Sequence, residues 1–143
     1  MSTKIKIDDF ILEKKIDQGK NSEVFLASKI QSSEKFAIKK YGKKYDYLLK
    51  NQVNFHLKYH HPNMIKLESV KKTKNSFYLI YEYCNGGRLS QIIEDYYKTY
   101  KNNISEGIVQ NLMKQIIDLV LFLRKKILDS LYLLEILSFM TLI

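Results

Sequence analysis

Ile16-Asp17-Gln18-Gly19-Lys20-Asn21-Ser22-Glu23-Val24-Phe25-Leu26-Ala27, followed after a polar break by Phe36-Ala37-Ile38-Lys39, is the stretch on which the reading of this chain turns. Val24, Leu26 and Ser28 alternate with Phe25 and Ala27, the period-two pattern of a strand with two unlike faces. Gln31-Ser32-Ser33-Glu34 is a break of hairpin length, so the strands on either side are expected to pair antiparallel. Lys39 sits among apolar neighbours on the later strand, and the pairing aims it at the turn around Gly19. A lysine so placed, facing a turn of small residues, is suited to holding phosphate oxygens whose other partners are backbone amides.

Working outward, Phe10, Leu12 and Lys14 alternate with Ile11 and Glu13 as far as Ile16, which gives a half-buried first strand. From Tyr45 the spacing becomes helical. Tyr45, Leu48, Leu49, Gln52, Phe55, His56 and Tyr59 recur at three and four residues and share one face of a helix ending near His60. His61-Pro62 stops it, because a residue before proline avoids the α region. Ile65, Leu67 and Ser69 mark a fourth strand, Lys71 to Ser76 a polar turn, and Phe77 to Tyr83 a fifth strand apolar enough to be central. Asn85-Gly86-Gly87 is a turn signal. Leu89, Ile92, Ile93 and Tyr96 predict a short amphipathic helix, and Lys98 to Asn103 a loop. Ser105 is placed to cap a long helix, with Glu106 on its first turn and Ile108, Leu112, Ile116, Leu119, Val120 and Leu123 along one face.

The chain has 143 residues, 45% of them hydrophobic and 13% aromatic, with one proline and five glycines, a composition that excludes a disordered or low-complexity chain. One cysteine, Cys84, excludes a disulfide framework and fits a reducing compartment, and the N-terminal residues carry no apolar signal core, so a cytoplasmic placement is expected. The net charge of +9 resides in the first half, where residues 1–75 hold 17 Lys against 8 acidic residues. Lysines outnumber arginines 22 to 2 and are scattered, so they read as a solvated surface rather than a nucleic-acid groove. His56 and His60 stand one helical turn apart, but zinc needs further convergent ligands and none accompanies them, so no metal site is expected.

In these motifs the sequence resembles the eukaryotic-type protein kinases. Asp17 to Val24 lies where that family has Gly-x-Gly-x-x-Gly-x-Val, and Phe36-Ala37-Ile38-Lys39 where it has Val-Ala-Ile-Lys. His61-Pro62-Asn63-Met64-Ile65 is similar to its His-Pro-Asn-Ile turn, and Phe77 to Leu89 to its fifth strand, hinge and following helix. The hinge and the lysine strand are similar to the unc-51-like, autophagy-initiating serine/threonine kinases. The resemblance implies an α+β fold: a small lobe of five antiparallel strands with one helix, then two or three helices of an incomplete larger lobe. It divides the chain into residues 1–84 as the small lobe, 85–127 as hinge exit and first large-lobe helices, and 128–143 as an apolar tail. It further implies ATP held by Ile16, Gly19, Ser22, Val24, Ala37, Lys39, Tyr81, Glu82 and Cys84. In that set Tyr81 is the gatekeeper, and the Glu82 and Cys84 backbones meet adenine. Mg2+ and a protein substrate are expected by family, and Gln52 takes the helix position facing Lys39.

The departures carry chemistry too. Asp17 and Ser22 replace two of the three glycines, which predicts weaker nucleotide affinity than the family has. Gln52 stands where the family has a glutamate; an amide orders a lysine less well than a carboxylate, because charge-assisted hydrogen bonds are roughly twice as strong as neutral ones. After Leu123 neither His-Arg-Asp-x-x-x-x-Asn nor Asp-Phe-Gly occurs in the sequence, so no catalytic residue and no metal ligand is assigned. Two functions follow as expectations: a protein kinase fragment of Ser/Thr type, inactive by itself, or a pseudokinase-like module that binds partners. The run from Leu128 to Ile143 contains Asp129 and Glu135 and is shorter than the roughly 20 apolar residues of a membrane span. A helix docking on the face of 108–123 and a frameshifted end of a longer gene are the two accounts of it.

Overall fold

A computed structural model describes residues 5–101 and 104–128, without the side chains of residues 45–48, 127 and 128; the apolar tail from 129 to 143 lies outside the described residues. The chain forms two compact units, residues up to 60 together with 65–84, and residues 61–64 together with those from 85 onward.

The first unit is an antiparallel sheet with one helix. Its strands are β1 (Lys6–Ile7), β2 (Phe10–Gln18), β3 (Ser22–Lys29), β4 (Lys35–Gly42), β5 (Leu67–Lys72) and β6 (Ser76–Glu82), in the order β1-β2-β3-β4-β6-β5. A short 3-10 turn, Lys43–Tyr45, leads into α1 (Asp46–Lys58). The α+β architecture expected from the sequence is the one adopted, with a sixth strand beyond the expected five. β1 is two residues long, too short for any periodicity to announce it. It turns into β2 through Asp8-Asp9, with Asp8 at a φ of 48°, a conformation that tight hairpin loops require and that Asp tolerates better than most residues.

Alternation divides the sheet into two apolar faces. On one lie Ile7, Phe10, Leu12, Ala27, Phe36, Ile38, Tyr78 and Ile80, with Phe10 and Phe36 in edge-to-face contact. On the other, Leu67, Phe77, Leu79 and Tyr81 receive Leu49 and Val53 of α1. Ile38, Leu79 and Ile80 are fully buried, each contributing about 1.5–3 kcal/mol of burial free energy. Among the described residues no helical side chain joins the first cluster. Instead the sheet curls: β2 carries two bulges, at Glu13 and Ile16, which bend and twist a strand, and Lys71 of β5 reaches Asp8 beside β1 at 2.8 Å. The opposite margins of the sheet thus meet.

The second unit contains α2 (Leu89–Tyr100) and α3 (Glu106–Leu128). The loop expected from Lys98 is helical to Tyr100. Polar residues there extend α2 through an Asp95–Gln91 hydrogen bond, a Thr99 hydroxyl donating to the Asp95 carbonyl, and a Glu94–Lys98 pair. Lys101 then ends it in the left-handed region, its N–H donating to the Tyr97 carbonyl. α3 starts beside Ser105, whose carbonyl accepts from Ile108 and Val109, and continues through Arg124 to Leu128. The loop 61–64 is tied to α3 by Asn63 Nδ2, which donates to the Gln115 carbonyl and to Asp118, and by His61, which approaches Asp118 at 3.4 Å and stacks on Phe122. No helix among the described residues is long and apolar enough to cross a membrane.

Candidate functional site

Strand register decides which of the singled-out residues meet. In antiparallel pairs, directly opposed side chains share a face and lie close together. Ser22 opposes Tyr41, Val24 opposes Lys39, and Leu26 opposes Ala37; across the next pair, Tyr41 opposes Phe77, Lys39 opposes Leu79, and Ala37 opposes Tyr81. Ser22, Val24, Ala37, Lys39 and Tyr81 therefore occupy one face, the face on which α1 packs. Their three rows run from the Tyr81 row to the Ser22 row over about 13 Å, four residues of strand rise.

Gly19 opens the β2–β3 turn at the Ser22 end. Its N–H donates to the Ser22 carbonyl at 2.8 Å, and the Gln18 side-chain amide straps the turn by donating to the carbonyls of Gly19 and Ser22. Gly19 does not adopt a positive φ, so left-handed backbone is not its reason for being glycine. The reason is proximity: a Cβ there would meet Ser22 Oγ at 2.9 Å. Asp17 accepts from the Gln18 N–H at 2.8 Å, which gives its carboxylate a local partner within the turn. Ile16 is the extra residue of a bulge, outside the paired register and 40% exposed.

Lys39 is half-buried, and its ammonium lies 5.4 Å from the centre of the Tyr41 ring. It thus leans toward the row that begins with Ser22. Among the described residues no carboxylate lies within ion-pair distance of it, in contrast to its neighbour Lys40, which points to the other face and approaches Glu23 at 3.5 Å. Glu23 also pairs with Lys15 at 3.3 Å, and these two lysines, Lys15 foremost, hold its carboxyl below the usual range.

Gln52 does not reach Lys39. Its Nε2 donates to Tyr81 Oη at 3.1 Å. Tyr81 is 6% exposed, and burial pushes its phenol well above the ordinary range, with Tyr41 adding to the rise and the Gln52 bond opposing it. His56, one helical turn after Gln52, forms an edge-to-face pair with Tyr81, ring centres 5.5 Å apart. Burial, aided by His60, lowers the His56 imidazole to about 4.

At the far end of the face, Glu82 ends β6. Its N–H donates to the Lys66 carbonyl and its carboxylate accepts from the Lys66 N–H at 2.7 Å. Cys84 follows, exposed, its thiol pushed up by desolvation and then by the Glu82 carboxylate, so it is not poised as a nucleophile. The Cys84 N–H has no backbone partner among the described residues. Sequence reasoning passed over Tyr41, His56 as a neighbour of Tyr81, and the Lys66–Glu82 tie. Period-two parity with Lys39 would have flagged Tyr41; the other two depend on tertiary contact. No group of three His, Cys, Asp or Glu side chains among the described residues converges as a metal site.

Comparison with known proteins agrees with this architecture. Residues 10–128 match the protein kinase domain. Myosin light chain kinase A of Dictyostelium discoideum is 33% identical over 124 residues, covering 82% of this chain and 39% of that protein. Serine/threonine-protein kinase ULK3 of Xenopus laevis is 30% identical over 128 residues, covering 85% and 26%. Serine/threonine-protein kinase ATG1 of Mycosarcoma maydis is 30% identical over 101 residues, covering 67% and 10%. The chain thus spans well under half the length of these relatives. The crystal structure of Rad53 1-466 in complex with AMP-PNP superposes with a TM-score of 0.68 at 21% identity, over 82% of this chain and 31% of that one, a likeness of fold. With the glycine turn, the lysine strand and the hinge in family order and a family match over most of its length, this chain belongs to the protein kinase domain family.

Proposed function

We propose that the first unit, the small lobe of a kinase domain, binds ATP on the face that carries Lys39, and that the parent activity is phosphorylation of serine or threonine in a protein substrate. One observation carries the reading: Lys39 lies on the face that carries Ser22 and Val24, and among the described residues no carboxylate pairs with it, so its charge is available to an anion. The Rad53 structure supports it by likeness, since that protein was crystallised with AMP-PNP. ATP, when bound, supplies the transferable phosphoryl group. Lys39 pairs with its phosphates, the Gly19 turn covers them, Val24 and Ala37 flank the base, and the Glu82 carbonyl and Cys84 N–H meet its polar edge. Tyr81 closes the face behind Ala37, and Ile16 borders it from the bulge. Mg2+ goes with the family, but the described residues offer it no ligand set, and no step is derived through it. A cytoplasmic place of work accompanies an ATP-dependent role.

Titration with an ATP analogue, followed by calorimetry, tests the reading. Lys39→Met should weaken binding at least tenfold, the loss of a charge-assisted contact of about 1.5–3 kcal/mol. Lys40→Met, adjacent in sequence but on the opposite face, should change it less than twofold. Equal effects of the two variants would refute the assignment.

A second reading, a pseudokinase-like module acting by binding partners, is favoured by α3. Ile108, Val109, Met113, Ile117, Val120 and Leu121 on that helix are each between 41% and 57% exposed. A stable complex with a partner that is indifferent to Lys39→Met would select it.

A further inference from the structure

We propose that Gln52, Tyr81 and His56 form a latch that fixes α1 on the sheet independently of Lys39, so that filling the nucleotide face and positioning the helix are separate events in this chain. The second half of the statement rests on the ATP reading above; the first does not.

Three observations converge. Gln52 Nε2 donates to Tyr81 Oη at 3.1 Å, which joins the middle of α1 to the central strand β6. His56, 1% exposed, meets the same tyrosine in an edge-to-face contact with ring centres 5.5 Å apart, so one helix grips one side chain at two points a turn apart. Lys39, one row along the sheet from Tyr81, has no hydrogen bond or ion pair with any residue of α1 among the described residues, its ammonium lying against Tyr41. Leu49 and Val53 supply the apolar contact between helix and sheet, but such contact is non-directional. The hydrogen bond is what fixes rotation and register of the helix, because it is satisfied in one alignment only. An amide and a phenol can do this while neutral, so the latch does not compete for the charge on Lys39. A nucleotide phosphate approaching that ammonium consequently displaces no residue of α1 and gives α1 no new tie.

Backbone hydrogen exchange of α1 tests the latch. Tyr81→Phe removes one oxygen and keeps the ring, and Gln52→Ala removes the other partner. Each should speed exchange of α1 amides by about fivefold to tenfold, as expected for one hydrogen bond lost from a helix that opens as a unit. The double variant should exchange no faster than Gln52→Ala alone, whereas two unrelated packing defects would add. Lys39→Met should leave α1 exchange unchanged within twofold, and so should a saturating ATP analogue. Acceleration by Lys39→Met equal to that by Tyr81→Phe, or additive effects in the double variant, would overturn the proposal. Protection of α1 by the analogue would overturn its second half. Absence of analogue binding would defeat the ATP reading instead, leaving the exchange comparison among variants intact.

Discussion

At the scale of single residues, two positions make quantitative demands. Gly19 is constrained by the nearness of Ser22 Oγ, not by its own backbone angles. Gly19→Ala should therefore cost only about 1 kcal/mol, the price of moving one small side chain off its rotamer, and adding Ser22→Ala should restore the loss in thermal unfolding. His56 makes a demand on pH. Its imidazole titrates near 6.5 when unfolded and about 4 when folded, so between these values the unfolded chain binds the proton first. Stability is full above pH 6.5 and falls as the pH drops toward 4, by at most about 3 kcal/mol from this residue. His56→Leu should flatten that slope in urea titrations made at pH 7, 5.5 and 4, and an unchanged slope would show that other groups produce it.

At the scale of elements, the chain is legible where a repeat is long enough to be counted. β3 and β4 alternate, β6 is a continuous apolar run of strand length, and α1 and α3 show their apolar spacing over several turns. The rest escapes for identifiable physical reasons. β1 has two residues and exists because Asp8 turns the chain back onto β2. The end of α2 reads as loop because Asp95, Lys98 and Thr99, polar residues common in loops, bond to their own helix instead. Within the candidate site, parity along β3 and β4 is enough to place Val24, Ala37 and Lys39 together, since that register follows from a hairpin, whereas Tyr81 joins them through the β4–β6 pair, which α1 and β5 separate in sequence. The partner of Gln52 is not legible, because a residue 29 positions away supplies it and only packing brings the two together. The bulges at Glu13 and Ile16 lead to a prediction at this scale. Deleting Glu13 would leave Leu12 and Lys14 adjacent opposite the consecutive Ala27 and Leu26, which straightens β2 and keeps every side chain on its face. Unchanged binding of a hydrophobic dye with retained far-ultraviolet dichroism is the expected outcome, and a rise in dye binding would show that the register had slipped.

For the molecule as a whole, kinase-family membership and the missing motifs together bound the chemistry. Phosphoryl transfer is positioning and electrostatics, and the family draws its nucleophile-orienting carboxylate and its metal ligands from motifs that these 143 residues do not contain. Purified chain of this length should incorporate no radioactive phosphate into a generic protein substrate above a blank; robust turnover would show that some residue here has taken over the carboxylate's work. The curl of the sheet has a consequence of a different kind. A strand left open at the margin of a sheet is a template for a strand from another molecule. Here one margin is a two-residue strand, and the other is fastened across to Asp8 through Lys71. The ion pair thus hinders a foreign strand at the β5 margin, so the Asp8→Asn variant should betray itself by self-association in light scattering before any fall in melting temperature.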